Sequence, residues 1–83
     1  MEIDYKQQFK EFCDIFKGVS VEQAKVKADE LGLPYNADYD LVDINYKNIC
    51  ATVYDVNGNS RISTSVELWN EEESNYELVE MEG

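Results

Sequence analysis

The segment Asp55-Val56-Asn57-Gly58-Asn59-Ser60-Arg61-Ile62 sets oxygen-bearing side chains at the first, third and fifth positions of a loop, with an apolar residue at the eighth. That is the opening spacing of a calcium-binding loop. Two requirements fail. The sixth position is Ser60 where the sharp turn takes glycine, and the twelfth is Val66 where a bidentate acid closes the coordination shell. The residues before it are β-branched and alternating, and Asn57-Gly58 is the preferred pair for a two-residue type I′ turn. A hairpin with no metal is therefore the expectation. Other chemistry is sparse. The chain has no histidine, which removes the commonest general base and metal ligand. Its serines have no base to activate them. Its carboxylates lie in polar stretches with no apolar pocket to tune them. There is no glycine-rich phosphate loop and no zinc spacing. No catalytic residue, no cofactor and no enzymatic activity are expected.

The carboxylates matter instead as charge. Eighteen acidic residues face seven basic ones, a formal net charge of -11. Residues 1–36 hold five lysines and seven acids, whereas residues 37–83 hold only Lys47 and Arg61 against eleven acids. Direct contact with phosphate backbones is excluded, because it needs clustered Lys or Arg. Attraction to a basic protein surface follows naturally from such a field, and solubility alone is the simpler use of it. A chain of 83 residues buries roughly 60% of its unfolded surface, enough for one domain with a small core and no deep cleft. Two cysteines, Cys13 and Cys50, are too few for a disulfide scaffold and fall on different elements, so free thiols in a reducing cytoplasm are expected. No signal peptide and no membrane span are read from the sequence.

The elements that must carry these residues are legible. Tyr5, Phe9, Phe12, Cys13 and Phe16 form one face of a helix over about 4–17, stopped by Gly18. Ser20 and Gln23 have capping-box spacing for a second helix over 20–31, with Val21, Ala24, Ala28 and Leu31 as its buried stripe. Gly32 ends it, and Leu33 is placed to fold back onto its last turn. Beyond Tyr35 the period becomes two. The turn at Asn57-Gly58 joins strands 49–56 and 59–68, pairing Val53 with Ile62, Ala51 with Thr64 and Ile49 with Val66 on one face. The other face pairs Tyr54 with Arg61, Thr52 with Ser63 and Cys50 with Ser65. A preceding strand, 38–45, is expected to connect through the loop 45–48, setting Ile44 against Ile49 and Val42 against Ala51. Residues 70–75 are a polar turn, and 75–81 are either a fourth strand or a docked tail. The fold class is α+β: two helices on one face of a three- to four-stranded antiparallel sheet, in a single domain.

Candidate partner-binding residues follow from this placement. Asp38, Tyr39, Asp40, Leu41 and Asp43 share one strand and read either as a recognition strand or as an edge guarded by charge. Tyr39, Leu41 and Tyr54 are expected to form an apolar patch on the face away from the helices. Glu67 and the run Glu71, Glu72 and Glu73 lie near Trp69, Tyr76 and Met81. Carboxylates stand in for phosphates and aromatics for stacked bases on surfaces that occupy nucleic-acid channels. Trp69 is expected to cap the edge of the core, with an exposed hot spot as the alternative.

Three resemblances bear on function. The segment 55–62 resembles the start of an EF-hand or dockerin loop, within the limits given above. Gly18-Val19-Ser20-Val21-Glu22-Gln23-Ala24-Lys25 and Asp43-Ile44-Asn45-Tyr46 resemble pieces of the potato inhibitor I class of serine-protease inhibitors. That resemblance implies a reactive bond after Val42. In size, acidity, Tyr and Asn content and lack of catalytic residues, the whole chain is similar to small phage and mobile-element inhibitors, including anti-CRISPR proteins and nucleic-acid mimics. This likeness implies a cytoplasmic protein–protein interaction module that blocks a basic, nucleic-acid-binding enzyme, acting as a monomer or weak homodimer without touching membrane or nucleic acid. The alternatives are a protease inhibitor and an accessory subunit of a phage or bacterial complex that self-associates through Tyr39, Leu41 and Tyr54.

Overall fold

The computed structural model describes residues 3–83. Helix α1 (Tyr5–Ile15) starts at Asp4, whose carboxylate accepts from the Gln7 amide at 3.0 Å. Its face of Phe9, Phe12 and Phe16 is buried, with Tyr5 and Cys13 at the margin. The helix ends at Phe16, sooner than expected, where the last amide bonds back to Phe12. The Phe16 ring is anchored in the core, and the chain turns there before reaching Gly18. Helix α2 (Val21–Leu31) has the full capping box between Ser20 and Gln23. Gly32 takes the left-handed conformation at φ 69, and the Leu33 amide bonds to the Ala28 carbonyl at 2.9 Å, closing a Schellman-type end. Leu31 is 51% exposed and not part of the buried stripe. Ala24 and Ala28 bring α2 close to the sheet, and Leu33, folding back past the cap, packs on the core instead.

The sheet has five strands, not three or four: β1 (Tyr35–Ala37), β2 (Leu41–Tyr46), β3 (Ile49–Val56), β4 (Asn59–Asn70) and β5 (Asn75–Glu82). All neighbours are antiparallel and the spatial order follows the sequence. The expected strand 38–45 begins only at Leu41, as β2, and an additional short strand, β1, precedes it. Asp38, Tyr39 and Asp40 form the turn between β1 and β2, closed by the Asp38 amide on the Leu41 carbonyl at 2.9 Å. The loop between β2 and β3 is two residues, Lys47-Asn48, which moves the register by two. Ile44 faces Ala51, and Val42 faces Val53. A two-residue shift keeps every side chain on its expected face. Tyr46 stays in the strand because its ring meets Phe12 edge-on at 6.0 Å and its hydroxyl donates to Glu11. Lys47 accepts a left-handed φ of 53 to close the turn.

At Asn57-Gly58 both residues have positive φ, 50 and 82, as a type I′ turn requires. Asp55 and Asn59 lie on the two flanking strands and not around a loop. The β3–β4 pairs Val53–Ile62, Thr52–Ser63, Ala51–Thr64 and Tyr54–Arg61 form as read from the sequence. The ladder stops there, short of Cys50–Ser65 and Ile49–Val66. The buried Thr64 hydroxyl donates to the Cys50 carbonyl at 2.6 Å, taking the acceptor that the next rung needs.

Both helices cover one face of the sheet, α2 over β1 to β3 and α1 over β3 and β4. Between them lie Phe9, Phe12, Phe16, Val42, Ile44, Ala51, Val53 and Ile62. Val42 is wholly buried in a strand flanked on both sides. A reactive bond must be exposed in an extended loop, so the protease-inhibitor reading of Val42 is overturned. No helix among the described residues is long and apolar enough to cross a membrane.

One ion pair ties the helix layer to the β2–β3 turn: Lys47 Nζ lies 2.9 Å from Glu11 Oε2. The bond to Lys47 pulls the Glu11 carboxyl below its ordinary range, and the bond to Glu11 holds the Lys47 ammonium above its own. Glu11 therefore stabilises the fold above the unfolded carboxylate value of about 4.3, and this is lost as pH falls through the lower folded value. Lys47 contributes until pH rises through its raised folded value, so the pair is fully formed at neutral pH. The stability gap between wild type and Glu11→Gln, read from urea melts, should be present at pH 7 and shrink as pH falls below the unfolded carboxylate value of about 4.3.

Candidate functional site

The residues expected to meet a partner fall in three separate places. Asp38, Tyr39 and Asp40 form the β1–β2 turn, where the Asp38 carboxylate accepts from the Tyr39 amide at 2.7 Å and the Tyr39 ring is 93% exposed. Leu41, Asp43 and Tyr54 lie on the sheet face away from the helices, with Leu41 opposite Tyr54 and Asp43 opposite Thr52, whose hydroxyl donates to it. Tyr39 does not join Leu41 and Tyr54 in one patch, because it leaves the strand for the turn. Glu67, Trp69, Glu71, Glu72 and Glu73 are at the other end of the sheet. Along β4 the rise from Arg61, in the Tyr54 row, to Asn70 is roughly 30 Å. No single flat contact of modest size unites the three groups.

The third group is the most built. Past Thr64, β4 has lost β3 and pairs with β5 alone, so residues 65–70 and their partners form a two-stranded ribbon roughly 20 Å long. Its projection draws the molecule out to 41 Å along its longest axis against 27 and 20 Å across. Val66 and Met81 anchor its root on the core. At its tip the Asn70 side chain accepts from the Glu72 and Glu73 amides at 3.0 and 3.3 Å and donates to Glu77 at 2.7 Å. The three-glutamate run is thus a fixed turn and not a frayed one, with Ser74 taking the positive φ, 54, that closes it.

Register decides what the ribbon displays. Trp69 pairs with Tyr76 and Glu67 with Leu78, so all four side chains lie on the face away from the helices. Trp69 is 53% exposed, Tyr76 66% and Leu78 59%. The Trp69 and Tyr76 rings meet edge to face, 5.1 Å apart. Trp69 therefore does not cap the core: it occupies the outward phase of the strand alternation, and the capping positions belong to Val66 and Met81. On the same face as the apolar trio stand Glu67 and Glu80, with Glu77 on the reverse face and the Glu71–Glu73 turn at the tip. Residues 62–83 hold seven glutamates and no lysine or arginine. Tyr76 and Leu78 are absent from the expected set. Their signal was the equal spacing of Trp69 and Tyr76 on either side of the polar turn, which a strand reading of 75–81 converts into a facing pair.

Cys13 sits in the helix layer and Cys50 on the opposite sheet face, both as free thiols. Burial pushes both thiols up, with Asp14 and Asp43 adding to it, which makes them poor nucleophiles at neutral pH. An open cleft of about 570 Å³ beside the α2 cap is lined by polar groups including Ser20, Asp55, Ser60 and Arg61. The Ser60 hydroxyl is engaged with the Val19 carbonyl, bracing the β3–β4 turn against the helix connection. Comparison with known proteins finds no matching family model, no matching curated protein and no matching solved structure.

Proposed function

We propose that this chain is a non-enzymatic interaction module that docks its β4–β5 ribbon on a basic protein surface and so inhibits a nucleic-acid-handling enzyme, in the manner of anti-CRISPR-type mimics. One observation carries the reading: a projecting ribbon with six glutamates and no cation presents Trp69, Tyr76 and Leu78 outward. Carboxylates on such a ribbon take the place of phosphates against Lys and Arg, and the ring pair takes the place of stacked bases. The aromatics supply apolar contact at the centre of the interface, and the glutamates steer the encounter.

The test is capture of a partner from bacterial lysate by the tagged protein, washed at low and at moderate salt. A bound nuclease, polymerase or effector complex should leave as salt rises. The triple variant Glu71→Gln, Glu72→Gln, Glu73→Gln should slow its association by about tenfold or more and flatten the salt dependence. The captured enzyme should lose nucleic-acid binding as the protein is added. Capture indifferent to salt and to the triple variant would overturn the reading in favour of a structural role.

A further inference from the structure

We infer that the outer edge of β5 receives an extended, basic segment of the partner as a sixth strand of the sheet. This rests on the docking reading above and names how the docking is made. The Ile62 and Gly83 backbones exchange both hydrogen bonds, at 3.1 and 2.8 Å. In an antiparallel ladder the hydrogen-bonded pairs alternate. With the β4–β5 register, Asn75, Glu77, Val79 and Met81 therefore turn their amides and carbonyls to β4, and Tyr76, Leu78, Glu80 and Glu82 turn theirs outward. Among the described residues nothing pairs with this edge. It is eight residues long and has no proline, whereas the opposite edge, β1, has three residues. Long open edges are ordinarily blunted. Here the only guard is charge, and charge is selective.

A second copy of the chain is a poor occupant. Joining two β5 edges gathers Glu77, Glu80 and Glu82 of one ribbon with the same residues of the other, and neither ribbon holds a cation to offset them. A strand bearing lysine or arginine at alternate positions reverses the sign. Its basic residues line the face that carries Tyr76, Leu78, Glu80 and Glu82, while its aliphatic ones lie on the other face beside Val79 and Met81. Main-chain bonds supply affinity, and the alternation supplies specificity.

The experiment titrates the isotope-labelled full chain with a short synthetic peptide alternating lysine with valine, and follows amide exchange. Exchange at Tyr76, Leu78 and Glu80 should slow by about tenfold or more at saturation. A peptide with glutamate in place of lysine should not bind, nor should the lysine peptide with alternate amides N-methylated. Leu78→Pro, which removes an outward donor and no existing rung, should abolish the protection. Leu78→Ala, which keeps the amide, should not. Equal binding of the N-methylated peptide, or peptide binding with unchanged exchange at these amides, would overturn strand addition while leaving docking through the ribbon face intact. Absence of any peptide binding overturns it as well. Failure of the docking reading itself shows separately, as salt-indifferent capture from lysate.

Discussion

Trp69→Ala is expected to weaken binding of the basic partner by about 30-fold or more, the effect of losing about 2 kcal/mol at an interface hot spot. Trp69 is the chain's one tryptophan, half exposed near the tip of the ribbon and met edge to face by Tyr76. A large ring that is already oriented loses little freedom on docking, so most of its burial appears as affinity. The loss should fall on the dissociation rate, since steering is the work of the glutamates. The fold should hardly notice. Trp69 lies outside the buried cluster, and the ring pair it leaves is worth about 0.5–1.5 kcal/mol, confined to the ribbon. Surface-plasmon traces and a thermal melt on the same preparation separate the two. An unchanged dissociation rate would remove Trp69 from the interface.

Phe12→Ala is expected to have the opposite profile, costing about 3–5 kcal/mol of folding stability. Phe12 is fully buried, stacked on Phe16 with centroids 4.4 Å apart and met edge-on by Tyr46. It is therefore the joint between α1 and the sheet. A chain of 83 residues has a total stability on the order of 4–12 kcal/mol, so one substitution removes a large share of it. Urea unfolding followed by far-ultraviolet circular dichroism is the measurement, because the lone tryptophan reports on the ribbon and not on the core. Leu31→Ala is the control. With Leu31 half exposed, its midpoint should shift by no more than about 0.5 kcal/mol equivalent. Equal losses for the two variants would contradict the packing described.

The two profiles divide the molecule into a core that the sequence announces and a ribbon that it only half announces. The helices, the Ser20–Gln23 box, the Gly32 ending and the Asn57-Gly58 hairpin were legible because each is a local code: a period, a cap, a turn pair. The in-or-out sense of β2 survived even a register error, since the Lys47-Asn48 turn moved the pairing by two residues. The acidity of the C-terminal half, and the absence of any histidine to do acid–base work, are likewise properties of the sequence alone.

Tertiary structure decided how those pieces meet. Tyr46 remained a strand residue because Phe12 and Glu11, far away in the chain, offered its ring and hydroxyl partners. Tyr39 left its strand for a turn, which separated it from Leu41 and Tyr54. Thr64 took the Cys50 carbonyl near the start of β3, and the longer β4 ran on past the Lys47-Asn48 turn with β5 as a projecting ribbon. The phase of the β4–β5 alternation made Trp69, an expected cap of the core, an exposed ring beside Tyr76. Composition set the sign of the charge. Its position relative to an open strand edge was set by long-range pairing, because register and edge exposure depend on which strands find each other and not on any one strand's own residues.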